Sequence, residues 1–167
     1  MISSDEARAA AQTSIRDPVL QADPLFAPWA SATIGDPEIV RTLQHEPSYW
    51  LVPVRLQGHV VGFVRVNLDG RVGAVGAYYR DPLHLGSSPR VVTHIDAETA
   101  ATQAAASVDP ARGETASTPV YVHDGPPGRE AWLIEVTRQG RATRWVFVTP
   151  GGLYERPAGT HRDAAIE

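Results

Sequence analysis

Two stretches of the chain, WLVPVRLQGHVVGFVRVNLDGRV at 50–72 and WLIEVTRQGRATRWVFVTPGGLY at 132–154, decide the fold because they repeat one pattern. Aligned without gaps at an offset of 82 residues, they are identical at eight of 23 positions. The identities include a Trp-Leu pair, a Gln-Gly pair and a second glycine in one register. Internal similarity of this kind predicts two copies of one structural unit.

Each copy has the pattern of a β-hairpin. Gln57-Gly58 and Gln139-Gly140 fit two-residue turns, in which glycine takes the positive φ that such turns need. In the second hairpin this register places Glu135 opposite Arg144 as a cross-strand charge pair. The predicted helix-facing residues are Trp50, Val52, Val54, Val61 and Phe63 in the first hairpin and Trp132, Ile134, Val136, Trp145 and Phe147 in the second.

An alanine-rich helix precedes each hairpin. Residues 2–15 align with residues 95–108, and alanine is the best helix former. Ser3 with Glu6 forms a capping-box pattern, and Asp96 is the equivalent N-cap in the second copy. Both helices are therefore expected to begin at these caps and to end before an Asp-Pro pair.

Other segments give weaker predictions. Residues 35–46 are expected to form a short helix with Asp36 as its N-cap. Residues 72–80 and 118–124 read as further strands, residues 91–93 as a possible strand, and LYERP at 153–157 as a short strand that proline ends.

The predicted fold class is α+β, with two repeated units that each pack a helix on an antiparallel β-meander. Residues 1–87 form the first unit and include a longer connection between helix and hairpin. Residues 88–157 form the second unit, and residues 158–167 form a tail.

These motifs resemble the PepSY group of small domains and, more loosely, the cystatin-like folds. The matching stretches are ISSDEARAAA with the first hairpin and IDAETAATQAA with the second. The resemblance implies binding of peptides or proteases, inhibition or folding assistance, usually outside the cytoplasm. It implies no catalytic residues.

Composition excludes several classes of function. The net charge of −4 is too mild and of the wrong sign for a nucleic-acid binder. The chain has no cysteine, which excludes disulfides and thiolate metal sites, and all 15 basic residues are arginine, so it is lysine-free. No stretch reaches the length of a transmembrane helix, so membrane insertion is not expected. The expected location is the cytoplasm if Met1 is the native start, or outside it if a leader has been removed.

A candidate partner-binding surface lies on the face of the first hairpin that is turned away from its helix. The register places Leu51, Pro53, Val60 and Val64 together there, and such an apolar face is not left in water. Either a partner or the rest of the chain is expected to cover it.

The densest polar and aromatic cluster is the alternative site: Tyr78, Tyr79, Arg80, Asp81 and His84. Its members include a general acid and a general base in principle. The competing interpretation is a strand end with half-buried tyrosines. The histidines show no metal-ligand spacing and no cofactor motif is present, so no metal, cofactor or catalytic residue is predicted.

These observations favour a non-catalytic protein- or peptide-binding module, such as a protease inhibitor or a regulatory or assembly factor. One alternative is a small cystatin-like-cone enzyme with a site near Tyr78, Asp81 and His84. The other is a structural homo-oligomer subunit.

Overall fold

A computed structural model describes residues 1–85 and 88–160 of the chain. The predicted unit boundary at residue 87 and residues 161–167 of the predicted tail lie outside the described residues. The helices and strands follow in the order α1 (Ser4–Ile15), α2 (Pro18–Ala22), β1 (Thr33–Ile34), β2 (Glu38–Arg41), β3 (Pro47–Leu56), β4 (His59–Asn67), β5 (Val72–Ala77), α3 (Ala97–Ala105), β6 (Glu114–Ala116), β7 (Val120–His123), β8 (Glu130–Arg138), β9 (Arg141–Thr149) and β10 (Gly152–Pro157).

The chain divides into two compact units. The first comprises Met1–Val40 and Pro47–His94, and the second comprises Arg41–Glu46 and the residues from Ile95 onward. The second unit thus takes in a short segment that precedes the first hairpin in sequence.

The helix caps confirm the sequence prediction. The Ser3 hydroxyl accepts the Glu6 N–H at 3.2 Å, and the Glu6 carboxylate accepts the Ser3 N–H at 2.7 Å. The Asp96 carboxylate accepts the Thr99 N–H at 2.7 Å. These bonds satisfy amide groups that have no partner within the first turn of a helix, so α1 and α3 begin where the caps indicate.

The two hairpin turns also match the prediction. Gln57 and Gly58 have φ values of 52° and 79°, and Gln139 and Gly140 have φ values of 51° and 74°. Positive φ at both central residues is the geometry of a type I′ turn, whose twist suits antiparallel strands.

Each hairpin then contains a β-bulge that the sequence analysis missed. In the first, Arg55 pairs with Val60 but Val54 pairs with Gly62, which leaves Val61 as the extra residue. In the second, the register shifts between Val136 and Thr137, which leaves Thr143 as the extra residue. The two extra residues are 82 positions apart, so the bulge belongs to the repeated pattern.

The bulge overturns the predicted faces of the first hairpin. A shift of one residue moves every later side chain to the opposite face. Val64 and Val66 therefore join the core that packs against α1, together with Val52 and Val54. Phe63, predicted to face the helix, turns to the other side of the sheet.

The same correction applies to the second hairpin. Glu135 lies opposite Trp145 rather than Arg144, and the Trp145 indole N–H donates to the Glu135 carboxylate at 3.0 Å. Trp145 and Phe147 leave the predicted helix face and pack with Leu133 in a separate core cluster.

Trp132 stays on the helix side, because it precedes the bulge. Its indole N–H donates to the carbonyl oxygen of Ile95 at 2.8 Å, directly before α3. Trp50 likewise packs against the core that contains the inner face of α1. The two repeated tryptophans therefore each face the helix of their own unit.

The predicted architecture of two repeated units, each a helix on a meander, is nevertheless wrong. In the described residues, hydrogen bonds join ten strands into one mixed sheet of order β10-β9-β8-β7-β2-β3-β4-β5, with β1 beside β3 and β6 beside β8. β2 and β7 run parallel, with Arg41 opposite Val122. Strands outside the repeat thus pair with the hairpin edges, which a meander alone would leave open.

Two predicted local elements are also wrong. The segment 35–46, predicted as a helix, contains β2, because Ile39 and Val40 are β-branched and find a strand partner. Residues 91–93 form a turn rather than a strand.

Candidate functional site

The residues predicted to contact a partner do not form an exposed face. Val64 is fully buried in the α1 core, because the bulge turns it to the helix side. Leu51, Pro53 and Val60 are buried as well. All four are core positions in this structure, so a partner surface has to be sought elsewhere.

The two tyrosines of the alternative site point to different partners. The Tyr78 hydroxyl donates to the Val92 carbonyl oxygen at 3.4 Å, and the Tyr79 hydroxyl donates to the Leu25 carbonyl oxygen at 2.6 Å. Burial raises the pKa of Tyr79 above its ordinary value. Tyr78 is half-buried and Tyr79 is buried, so these contacts are those of tyrosines that pack at a strand end.

Asp81 and His84 form an exposed pair. The His84 Nδ1 and the Asp81 Oδ2 are 2.7 Å apart, and the two side chains are 81% and 51% exposed. The Leu83 N–H and then the His84 ring hold the pKa of Asp81 below its ordinary value. Arg80 is exposed too. The cluster therefore does not converge on an enclosed cavity, and the Asp81 carboxylate organises a surface turn.

In residues 1–85 and 88–160, no group of three or more His, Cys, Asp or Glu side chains could hold a metal ion.

A different feature, β5, stands out as an edge strand. It pairs with β4 on one side and ends the sheet order on the other. We call its residues, Val72–Ala77, the β5 edge. The segment, VGAVGA, contains no charged residue and no proline, although natural edge strands usually carry one or the other.

The alternation of hydrogen bonds shows which groups of the β5 edge face outward. Tyr78 donates its N–H to the Val61 carbonyl oxygen on β4 at 2.9 Å. Bonded and non-bonded pairs alternate along an antiparallel ladder, so the N–H and C=O groups of Val75 and Ala77 point away from β4. In the part of the chain that the structure describes, no backbone hydrogen bond reaches these four groups.

The opposite end of the sheet, β10, is protected. Ala158 donates its N–H to the Thr143 carbonyl oxygen at 3.1 Å, so by the same alternation Leu153, Glu155 and Pro157 present their backbone outward. Pro157 has no N–H to offer an added strand. The Glu155 carboxylate lies 3.2 Å from the Arg144 guanidinium and places charge along this edge.

Side chains of β10 are further held by a buried carboxylate. Asp124, only 1% exposed, accepts the Tyr154 hydroxyl at 2.7 Å and the Arg156 guanidinium at 2.6 Å. Arg156 also lies over the Phe147 ring, 4.6 Å from its centroid. This network fixes β10 to the loop after β7, and sequence spacing gave no sign of it.

A second network fixes the end of α3. The Arg144 guanidinium donates to both oxygens of Glu114, at 2.7 and 2.9 Å, and to the Ser107 carbonyl oxygen. The bonds from Arg144 and then from the Asp109 N–H lower the pKa of Glu114 to about 2. The arrangement is structural, because both Glu114 oxygens and both terminal nitrogens of Arg144 already have hydrogen-bond partners within it.

Comparison with known proteins gives no assignment: no family model, curated protein or solved structure matches the chain. The resemblance to PepSY and cystatin-like domains therefore stays a prediction. No helix in the described residues is long and apolar enough to cross a membrane.

Sequence reasoning missed the β5 edge as a site. It identified the strand at residues 72–80 but gave no indication that this strand ends the sheet order. The signal that could have found it is a last strand of a meander that has no charge and no proline, since that combination marks an edge open to pairing.

Proposed function

We propose that this protein is a non-catalytic module that binds an extended protein or peptide segment as an added strand on the β5 edge. The observation that carries the proposal is the set of outward, unpaired backbone groups of Val75 and Ala77. Such groups are satisfied by the backbone of an extended chain, which is the basis of recognition by strand addition.

The contrast with β10 supports a functional reading of the β5 edge. Exposed edges promote unwanted pairing, and proteins protect them with charge or proline. This chain places Glu155 and Pro157 on one edge and leaves the other with valine, alanine and glycine only. One terminal strand is protected and the other is left open, which fits a binding site for a partner on the open strand.

The class of partner follows from the chemistry of the edge. The β5 edge offers backbone hydrogen bonds and small apolar side chains, and the chain carries a net charge of −4. These properties suit a polypeptide and not a nucleic acid. In an inhibitor the added strand would come from a protease, and in an assembly factor from a protein that is being folded or assembled.

A proline at an outward position tests the proposal. Random eight-residue peptides displayed on phage are selected on the wild-type protein, and the enriched peptides are measured by fluorescence anisotropy. We expect Val75→Pro to weaken their binding about tenfold, since it removes one outward donor and none of the β5–β4 bonds. Ala77→Pro, at the next outward position, serves as the second variant if Val75→Pro unfolds.

Leu153→Pro on β10 is the matched control, because it also removes an outward N–H at an edge. It should leave binding unchanged. Failure to enrich any peptide, or equal binding to both proline variants, would contradict the proposal. Light scattering adds an independent check: a wild-type dimer that Val75→Pro dissociates would assign the edge to a second copy of this chain instead.

A further inference from the structure

Two glycines in β5 allow side chains of the neighbouring strand to extend across it. Gly76 lies opposite Phe63 of β4, and a Cβ at Gly76 would stand only 2.5 Å from the Phe63 ring. The ring therefore occupies the space above Gly76 that any other residue would fill. An aromatic surface from β4 thus lies next to the outer edge of the sheet.

The second glycine, Gly73, leaves room for the charged side chain of Arg65 from β4. A Cβ at Gly73 would stand 3.2 Å from Nε and 3.4 Å from Nη2 of Arg65, and Nη2 donates to the Gly73 carbonyl oxygen at 3.3 Å. The guanidinium also lies over the Tyr49 ring, 5.6 Å from its centroid. The guanidinium is thereby held between Tyr49 of β3 and Gly73 of β5, within hydrogen-bond distance of the β5 edge.

Arg65 has no carboxylate partner in the part of the chain that the structure describes. In residues 1–85 and 88–160 no ion pair involves it, whereas Arg8, Arg71, Arg112, Arg144 and Arg156 each pair with an acid. Its Nε is buried and has no hydrogen-bond partner. A partly buried guanidinium without a counterion is a favourable position for an incoming carboxylate.

Tyr78 extends the aromatic part of this surface. Its ring centroid is 5.7 Å from that of Phe63 and 4.7 Å from that of His94. Phe63 and Arg65 are two residues apart on β4, so they lie on one face of the sheet. An added strand would place every second side chain on that same face.

We infer that the added strand is an antiparallel segment with an apolar residue followed two positions later by an acidic residue. The inference rests on the proposed function of the β5 edge. The apolar side chain lies opposite Gly76 and contacts the Phe63 and Tyr78 rings. The acidic side chain lies opposite Ala74 and pairs with Arg65. Antiparallel addition is chosen because it is the more stable pairing per residue.

Synthetic peptides test this pattern. The probe is a fluorescein-labelled threonine peptide of seven residues with phenylalanine at the third position and glutamate at the fifth. Its controls carry glutamine in place of glutamate, or phenylalanine and glutamate in reversed order. We expect the probe to bind the wild-type protein about fivefold more tightly than the glutamine control, the upper range for a partly exposed ion pair.

Variants of Arg65 then test whether this side chain causes the preference for glutamate over glutamine. Arg65→Gln should abolish the difference between the glutamate and glutamine peptides, and Arg65→Lys should retain part of it. The difference should also shrink at high salt, where ion pairs are screened. Thermal unfolding of each variant checks that the packing on Tyr49 is kept.

Each outcome bears on a different claim. Equal affinity of the glutamate and glutamine peptides, or tighter binding of the reversed peptide, overturns the sequence preference. If the peptides selected from the library still depend on Val75, the proposed function survives that result. Absence of binding by the probe and by every selected peptide overturns both.

Discussion

The meanders β3–β4–β5 and β8–β9–β10 have the same backbone plan and different edges. In both, a type I′ Gln-Gly turn joins the first two strands, and a bulge follows four residues after the glutamine. Their third strands then diverge, since β5 is uncharged and β10 contains Glu155, Arg156 and Pro157. The same backbone can therefore close or expose an edge, and a few side chains make the difference.

The residue after each bulge shows the same divergence in the core. Gly62 in the first hairpin and Arg144 in the second occupy equivalent positions, 82 residues apart. The absence of a side chain at Gly62 admits the ring of Trp29, which is fully buried. Arg144 instead reaches Glu114 and the end of α3. Equivalent positions therefore serve different contacts. In the first unit the position admits a buried aromatic ring, and in the second it carries a charged side chain that binds the end of α3.

The largest expected effect on stability comes from truncating the repeated tryptophans, and its size should differ between the two. Trp132→Ala should lower the free energy of unfolding by about 3–5 kcal/mol, as truncation of a buried aromatic residue does. Trp50→Ala should cost about 2 kcal/mol, because Trp50 is only partly buried. Denaturant titration measures both. Equal losses would mean that the two positions are equivalent after all.

A smaller effect tests the packing at Gly62. A Cβ there would stand 2.3 Å from the Gly76 carbonyl oxygen and 2.5 Å from the Trp29 ring. Gly62→Ala should therefore lower the free energy of unfolding by about 1–3 kcal/mol through overpacking. Gly151→Ala is the control, since the nearest atom to its Cβ would be 3.8 Å away. A neutral Gly62→Ala would show that Trp29 can move aside.

The smallest expected effect concerns the ion pair between Glu114 and Arg144. The folded-state pKa of Glu114 is about 2, below its ordinary value of 4.5. The stability that this shift contributes is present above pH 4.5 and is lost as the pH falls towards 2. Glu114→Gln should therefore show a smaller drop in melting temperature between pH 5 and pH 2 than the wild type. An identical drop in both proteins would contradict the role of the pair.

Local signals in the sequence were read correctly where neighbours in the chain settle the structure. The caps at Ser3 and Asp96 and the turns at Gln57 and Gln139 involve residues within a few positions of one another. The strand at 118–124 was also found. The helix expected at 35–46 failed, because β2 gains its partners from distant strands.

The sequence by itself determined two helices with their caps, two hairpins with their turns, and the repeat that relates them, because these features arise from contacts close in the chain. Only the tertiary structure decided that a bulge turns Val64 into the core and Phe63 away from it. It also decided which strands pair beside the hairpins, and so which edge stays open. These outcomes depend on register and on long-range pairing, where a shift of one residue exchanges the two faces of a strand.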